Sequence, residues 1–120
     1  MKRLLFAVLL AAAPPAMAQD GREVFEARCG SCHAVAPDAP SGAGPNLAGV
    51  LGRRVGGDAG FGYSPVLEGG GRAGQAWDAE RLDRFLAEPE DEYPGVWMGA
   101  NGLRDAAQRA AVIRYLSAVR

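Results

Sequence analysis

The chain's only two cysteines and its only histidine fall within five consecutive residues, Cys29-Gly30-Ser31-Cys32-His33. Cys-x-x-Cys-His is the pattern for covalent attachment of a c-type haem. The two thiols add across porphyrin vinyl groups as thioethers, and the imidazole supplies the proximal iron ligand. A helical turn followed by a tight bend can present all three groups to one face of a flat macrocycle. Competing chemistries need more than is here. A structural zinc site takes four ligands, usually from two Cys/His clusters, and no third cysteine or second histidine exists. A thioredoxin-like dithiol uses the same spacing in a βαβ setting, yet no strand-rich apolar run precedes Cys29. That dithiol and a plain disulfide stand as the alternatives to haem.

The ends of the chain set the compartment. Lys2 and Arg3, the apolar run Leu4 to Ala13, and Ala16-Met17-Ala18 before Gln19 read as a secretory signal over residues 1–18. The apolar run is shorter than the ~20 residues of a membrane span, and Gln19 rather than cysteine follows the cut, which argues against a lipidated end. The expectation is an exported, periplasmic domain over residues 19–120 with no stable membrane insertion. Removing Lys2 and Arg3 from thirteen basic residues leaves eleven, all arginine, against fourteen acids, a net charge near −3. That balance argues against nucleic acid, whose binding needs a basic face.

Three helices must position the motif. Asp20 with Glu23 forms an Asp-x-x-Glu box opening a helix that runs through Arg28 into the cysteines, with Gly21 and Phe25 on one face. A second starts at Asp78, carries Leu82, Phe85 and Leu86 inward, and stops before Pro89. A third starts near Asp105 and runs to the C-terminus, with Val112, Tyr115, Leu116 and Val119 as its apolar stripe. Gly21 predicts close approach of that last helix. Ser64-Pro65 suits the start of one short helical turn. The seventeen glycines all lie beyond Asp20, most between Gly42 and Gly74, interleaved with large apolar residues. Loops of that kind suit a chain wrapping a large apolar cofactor. The fold expected is all-α.

A haem iron held by His33 has one axial position left. Met1 and Met17 leave with the signal, so Met98, in Pro94-Gly95-Val96-Trp97-Met98, is the one thioether available. A lone methionine is ordinarily a flexible core filler. Beside a haem it completes His/Met ligation, which raises the potential and suits electron transfer over oxygen chemistry. No general base, nucleophile or substrate pocket is indicated, so the chain reads as an electron carrier and not an enzyme.

With these residues in place the chain resembles the class I c-type cytochromes, close to the cytochrome c2 and mitochondrial cytochrome c group. The resemblance covers essentially the whole of residues 19–120. It rests on the Gly21/Phe25 helix, CGSCH, Gly44-Pro45-Asn46-Leu47, Gly49 to Arg54, Gly60-Phe61-x-Tyr63, Trp77, Leu82-x-x-Phe85-Leu86, Pro89, Pro94-Gly95-x-x-Met98 and the terminal helix. It implies a small fold with N- and C-terminal helices packed across each other and long loops around one covalent haem c. It also implies that the Pro45 carbonyl accepts the His33 N–H, that Tyr63 and Trp77 donate to a buried haem propionate, and that Arg53 lies near it. For Tyr63 and Trp77 the alternative is plain packing; for Arg53 it is a solvated surface charge.

The departures bear on partners. Phe85 stands where the close family often has tyrosine, Val96 where it has a hydroxyl before the methionine, and Leu67 where it has asparagine, so a drier pocket is expected. Glu90, Asp91 and Trp97 occupy positions where the mitochondrial proteins carry lysines. Ala100 replaces the aromatic covering the haem edge, which leaves Trp97 to cover it. The acidic run Glu88 to Glu92 reads either as a solvated face or as a docking field. The function expected is a monomeric carrier between a respiratory or photosynthetic donor and a terminal oxidase or reductase. The alternative is the electron-accepting cytochrome subunit of a periplasmic dehydrogenase.

Overall fold

The computed structural model describes residues 5–9 and 20–120. Most of the expected signal, 1–18, lies outside the described residues; Leu5, Phe6, Val8 and Leu9 are exposed and in no helix. Among the described residues the chain forms five helices and no named strand, as expected for an all-α domain. No helix among them is long and apolar enough to cross a membrane.

Asp20 opens α1, Gly21–Arg28, by accepting a hydrogen bond from the Arg22 amide (3.0 Å). The expected box would have used the Glu23 amide; the cap engages one residue earlier. The C-terminal helix, Ala106–Ala118, is capped by Asp105 through the Gln108 amide (3.0 Å) and ends two residues short of the terminus. The two helices cross at Gly21, where a Cβ would overlap the Ala111 carbonyl and stand 2.8 Å from Tyr115 Cβ. Phe25 and Tyr115 pack beside the crossing with ring centroids 5.6 Å apart. Because the crossing falls at Ala111, the buried face is Ala111, Val112, Ile113 and Leu116. Tyr115 and Val119, expected fully inward, are half-buried.

Between them, Pro65–Arg72 forms α2, Ala79–Ala87 α3 and Pro89–Glu92 α4, so that the C-terminal helix is α5. Asp78 caps α3 through the Arg81 amide (2.7 Å), and Leu82, Phe85 and Leu86 face the core. Pro89 ends α3 as expected and also begins the single turn of α4, since proline suits a first helical position.

Helix α2 corrects the expectation of one short turn. It runs for eight residues through Gly69-Gly70-Gly71, a sequence with poor helix propensity. Its reason is tertiary: a Cβ at Gly71 would overlap the Val55 carbonyl, and one at Gly70 would lie 3.1 Å from both Tyr93 and Val55. Ser64 stands at its N-cap without making a side-chain cap bond, so the sequence signal for capping misassigned that hydroxyl.

Segments 50–55 and 75–77 are laced by backbone bonds, Gly52 N–H to Trp77 carbonyl (2.7 Å), Trp77 N–H to Arg53 carbonyl (2.8 Å) and Val55 N–H to Gln75 carbonyl (2.9 Å). This lacing fixes Trp77 against Phe85 and Tyr93, with centroids at 5.0 and 5.9 Å. Gly21→Ala should destabilise the domain by ~2 kcal/mol, since overpacking outweighs the ~1 kcal/mol gain in helix propensity. Chemical denaturation of the two proteins measures the difference; an unchanged midpoint would remove Gly21 from the crossing.

Candidate haem site

Helix α1 delivers the motif. Its last carbonyls are closed by the Cys29 and Gly30 amides, both bonded to the Phe25 carbonyl at 2.8 Å. The chain then makes one further turn, with the Cys32 and His33 amides on the Cys29 carbonyl at 3.1 and 3.0 Å. Cys29, Cys32 and His33 thereby border one cavity of about 360 Å³. The two sulfurs are not joined as a disulfide, and burial pushes the Cys29 thiol above its ordinary pKa.

The imidazole is fixed by its neighbours. Nδ1 of His33 lies 2.8 Å from the Pro45 carbonyl oxygen. A carbonyl only accepts, so Nδ1 carries the proton and Nε2 keeps the lone pair a metal needs. Burial holds the ring's pKa below its usual value, against the opposing pull of the Pro45 bond. Gly44 lies flat against the ring: a Cβ there would stand 2.7 Å from Nδ1 and 2.9 Å from Nε2. The Gly44 amide donates to the Cys32 carbonyl (2.8 Å), tying this loop to the motif.

All eight residues singled out in the sequence (Cys29, Cys32, His33, Pro45, Arg53, Tyr63, Trp77 and Met98) border the same cavity. Arg53 is not a solvated charge. Its guanidinium donates to the Asn46 carbonyl (2.8 Å) and to the Ala48 carbonyl, stitching the loop beside Pro45. Tyr63 is 9% exposed; its hydroxyl oxygen accepts the Asp58 amide N–H (3.0 Å), and burial raises the phenol's pKa. Trp77 and Met98 face a wall made apolar by Leu82, Phe85, Leu86 and Val96. Trp97 borders the mouth and is 69% exposed.

Ser64 was missed as a site residue. It is 2% exposed, borders the cavity, and its Oγ has no hydrogen-bond partner among the described residues. A buried hydroxyl without a partner costs ~1–3 kcal/mol, so a polar group belongs in the cavity beside it. A large flat apolar group with carboxylates at one end satisfies both the apolar wall and the donors at Tyr63 and Ser64. The donor set therefore fits a haem.

The acidic run also has local work. Glu90 accepts the Gly95 amide (3.0 Å) just before Val96 and Met98, and Glu92 pairs with Arg84 (3.2 Å). Two of its four acids thus hold α4 and the Met98 loop in place.

No protein-family model matches the chain. Among curated proteins it is 41% identical to the cytochrome c-type cyt cy of Rhodobacter capsulatus over 100 residues, 83% of this chain and 48% of that protein. It thus spans about half the length of that relative. It is 36% identical to a cytochrome c of Guizotia abyssinica, covering 90% of this chain and 95% of the other. It is 37% identical to a cytochrome c2 of Rhodomicrobium vannielii, covering 81% and 74% respectively.

Gly44→Ala should force the imidazole off the Pro45 carbonyl, costing ~1–3 kcal/mol of stability. Nitrogen chemical shifts of the His33 ring would report loss of the Nδ1–H tautomer; an unchanged ring would show that the loop absorbs the methyl.

Proposed function

This chain belongs to the class I c-type cytochromes, electron carriers with one covalently bound haem c, and on that premise we propose how its residues hold the group and where it works. Cys29 and Cys32 would hold the haem through thioethers, and His33 and Met98 would ligate its iron. It supplies a reversible one-electron change between ferric and ferrous iron. The observation that carries this assignment is the convergence of one turn, Cys29 to His33, and Met98 on a single cavity, with His33 held in the metal-binding tautomer by Pro45.

The rest of the chain conditions that site. The Pro45 carbonyl fixes the orientation of the imidazole and raises its basicity. Leu67, Phe85 and Val96 exclude water and offer no donor to the Met98 sulfur. Tyr63 and Ser64 would offer hydroxyls, and Trp77 its indole N–H, to a propionate, while Arg53 holds the loop beside Pro45. The domain comprises residues 19–120, exported to a bacterial periplasm after loss of residues 1–18, and works as a monomer between a donor and an acceptor redox protein. With a net charge near −3 and no lysine beyond residue 2, its docking suits partners of neutral or basic surface.

Protein purified from periplasm should begin at Gln19 and keep its haem through denaturing electrophoresis, whereas Cys29→Ala/Cys32→Ala should release it. Met98→Ala should convert a six-coordinate low-spin iron to a form that binds carbon monoxide readily when reduced, and should lower the midpoint potential. Unchanged optical spectra in that variant would assign the sixth ligand elsewhere.

A further inference from the structure

A line of hydrogen bonds outside the cavity joins its tyrosine to its histidine. Asp58 Oδ2 accepts the Ser41 hydroxyl (3.0 Å), and Ser41 Oγ in turn accepts the Asn46 amide (3.0 Å). The Asn46 side chain donates to the Ala36 and Ala39 carbonyls (2.7 and 2.9 Å) and accepts the Ala48 amide (2.8 Å). Asn46 adjoins Pro45, which holds His33. At its other end, Asp58 Oδ1 accepts the Gly60 amide (3.0 Å), and the Phe61 amide bonds the Asp58 carbonyl (3.1 Å), so the Asp58 backbone is locked in a turn. The locked amide is the one that donates to the Tyr63 hydroxyl oxygen. Neither Ser41 nor Asp58 borders the cavity.

We propose that Ser41 and Asp58 form a carboxylate–hydroxyl latch that positions the Tyr63 phenol, so that its proton is directed at a haem propionate. The inference rests on the haem assignment above. A phenol oxygen has one proton to give. With the Asp58 amide occupying an acceptor site of that oxygen, the proton is left to turn toward the cavity. A carboxylate held by such a donor has part of its charge neutralised, which favours ferrous iron. Opening the latch lets the Asp58 amide drift, loosens the phenol and lowers the potential. Gly60, Ser41 and Arg53 all favour the ionised Asp58 carboxyl, whose pKa lies below the usual range; the latch is thus closed at neutral pH. Ser41 and Asp58 are positioning residues, acting through Tyr63.

The test is a double-mutant cycle on the haem-loaded protein, with Ser41→Ala, Asp58→Asn and Asp58→Ala each made alone and with Tyr63→Phe. Low-spin spectra and covalent haem in the unsubstituted protein check the underlying assignment independently of any variant. Ser41→Ala should lower the midpoint potential when Tyr63 is present and leave it unmoved when Tyr63→Phe is present. The Asp58 variants also remove a carboxylate charge, which by itself raises the potential, so their potentials should lie lower with the phenol than the charge loss measured in the Tyr63→Phe background accounts for. Hydrogen exchange at the Asp58 amide should speed by about tenfold in Ser41→Ala, equivalent to the net loss of one hydrogen bond. Equal potential shifts with and without the phenol, or no shift in any latch variant, would overturn the proposal. Should Asp58→Ala fail to load haem, Ser41→Ala and Asp58→Asn decide it alone.

Discussion

Everything in this fold depends on how closely α1 can lie against α5. The absence of a side chain at Gly21 lets the Ala111 carbonyl fill the space a methyl would take. That contact fixes the height at which α1 runs along α5, and so the level at which α1 ends. The motif follows directly, because the Phe25 carbonyl that closes α1 also receives the amides of Cys29 and Gly30. A thicker residue would displace the cysteines and His33 from the wall they share with residues of α3, α5, the loop carrying Met98 and the segments around Pro45 and Tyr63. The site is thus a packing problem first and a chemical one second.

What could be read in advance was what short-range chemistry determines. Asp78 and Asp105 announced their helices because a capping carboxylate needs only the amide three residues on. The motif and Met98 were legible by scarcity, since the chain has one histidine and residues 19–120 hold one methionine. The roles of Pro45, Tyr63, Trp77 and Arg53 were legible only by resemblance. Their surroundings could not be read from composition, because the Asn46 and Arg53 side chains bond backbone groups of Ala36, Ala39, Asn46 and Ala48, and a backbone partner leaves no mark in the residue types. Helix α2 was underestimated for the opposite reason: local propensity argued against it, and packing on Val55 overrode propensity. Ser64 was misread because a serine before a proline is so good a cap in isolation.

Trp77 and Phe85 line the cavity, and Tyr93 packs against both from behind as a rigid backing. Each pair of rings meets tilted or edge to face, with centroids between 5.0 and 5.9 Å, and the Tyr93 hydroxyl finds the Gln75 side chain at 2.7 Å. The polar tip of Tyr93 is thereby satisfied away from the cavity. Tyr63 and Ser64 are thus left to offer their hydroxyls to a cavity whose wall is largely aromatic and aliphatic.

The three glycines of α2 have a kinetic corollary. Each costs up to ~1 kcal/mol of helix stability relative to alanine, so the segment has little tendency to stay helical once it leaves Val55. Undocking and unwinding of α2 are therefore a single cooperative event, with no intermediate in which an intact helix swings away. The helical form of the flank beside Val55 thus rests on docking rather than on local propensity, which couples its secondary structure to its tertiary contacts.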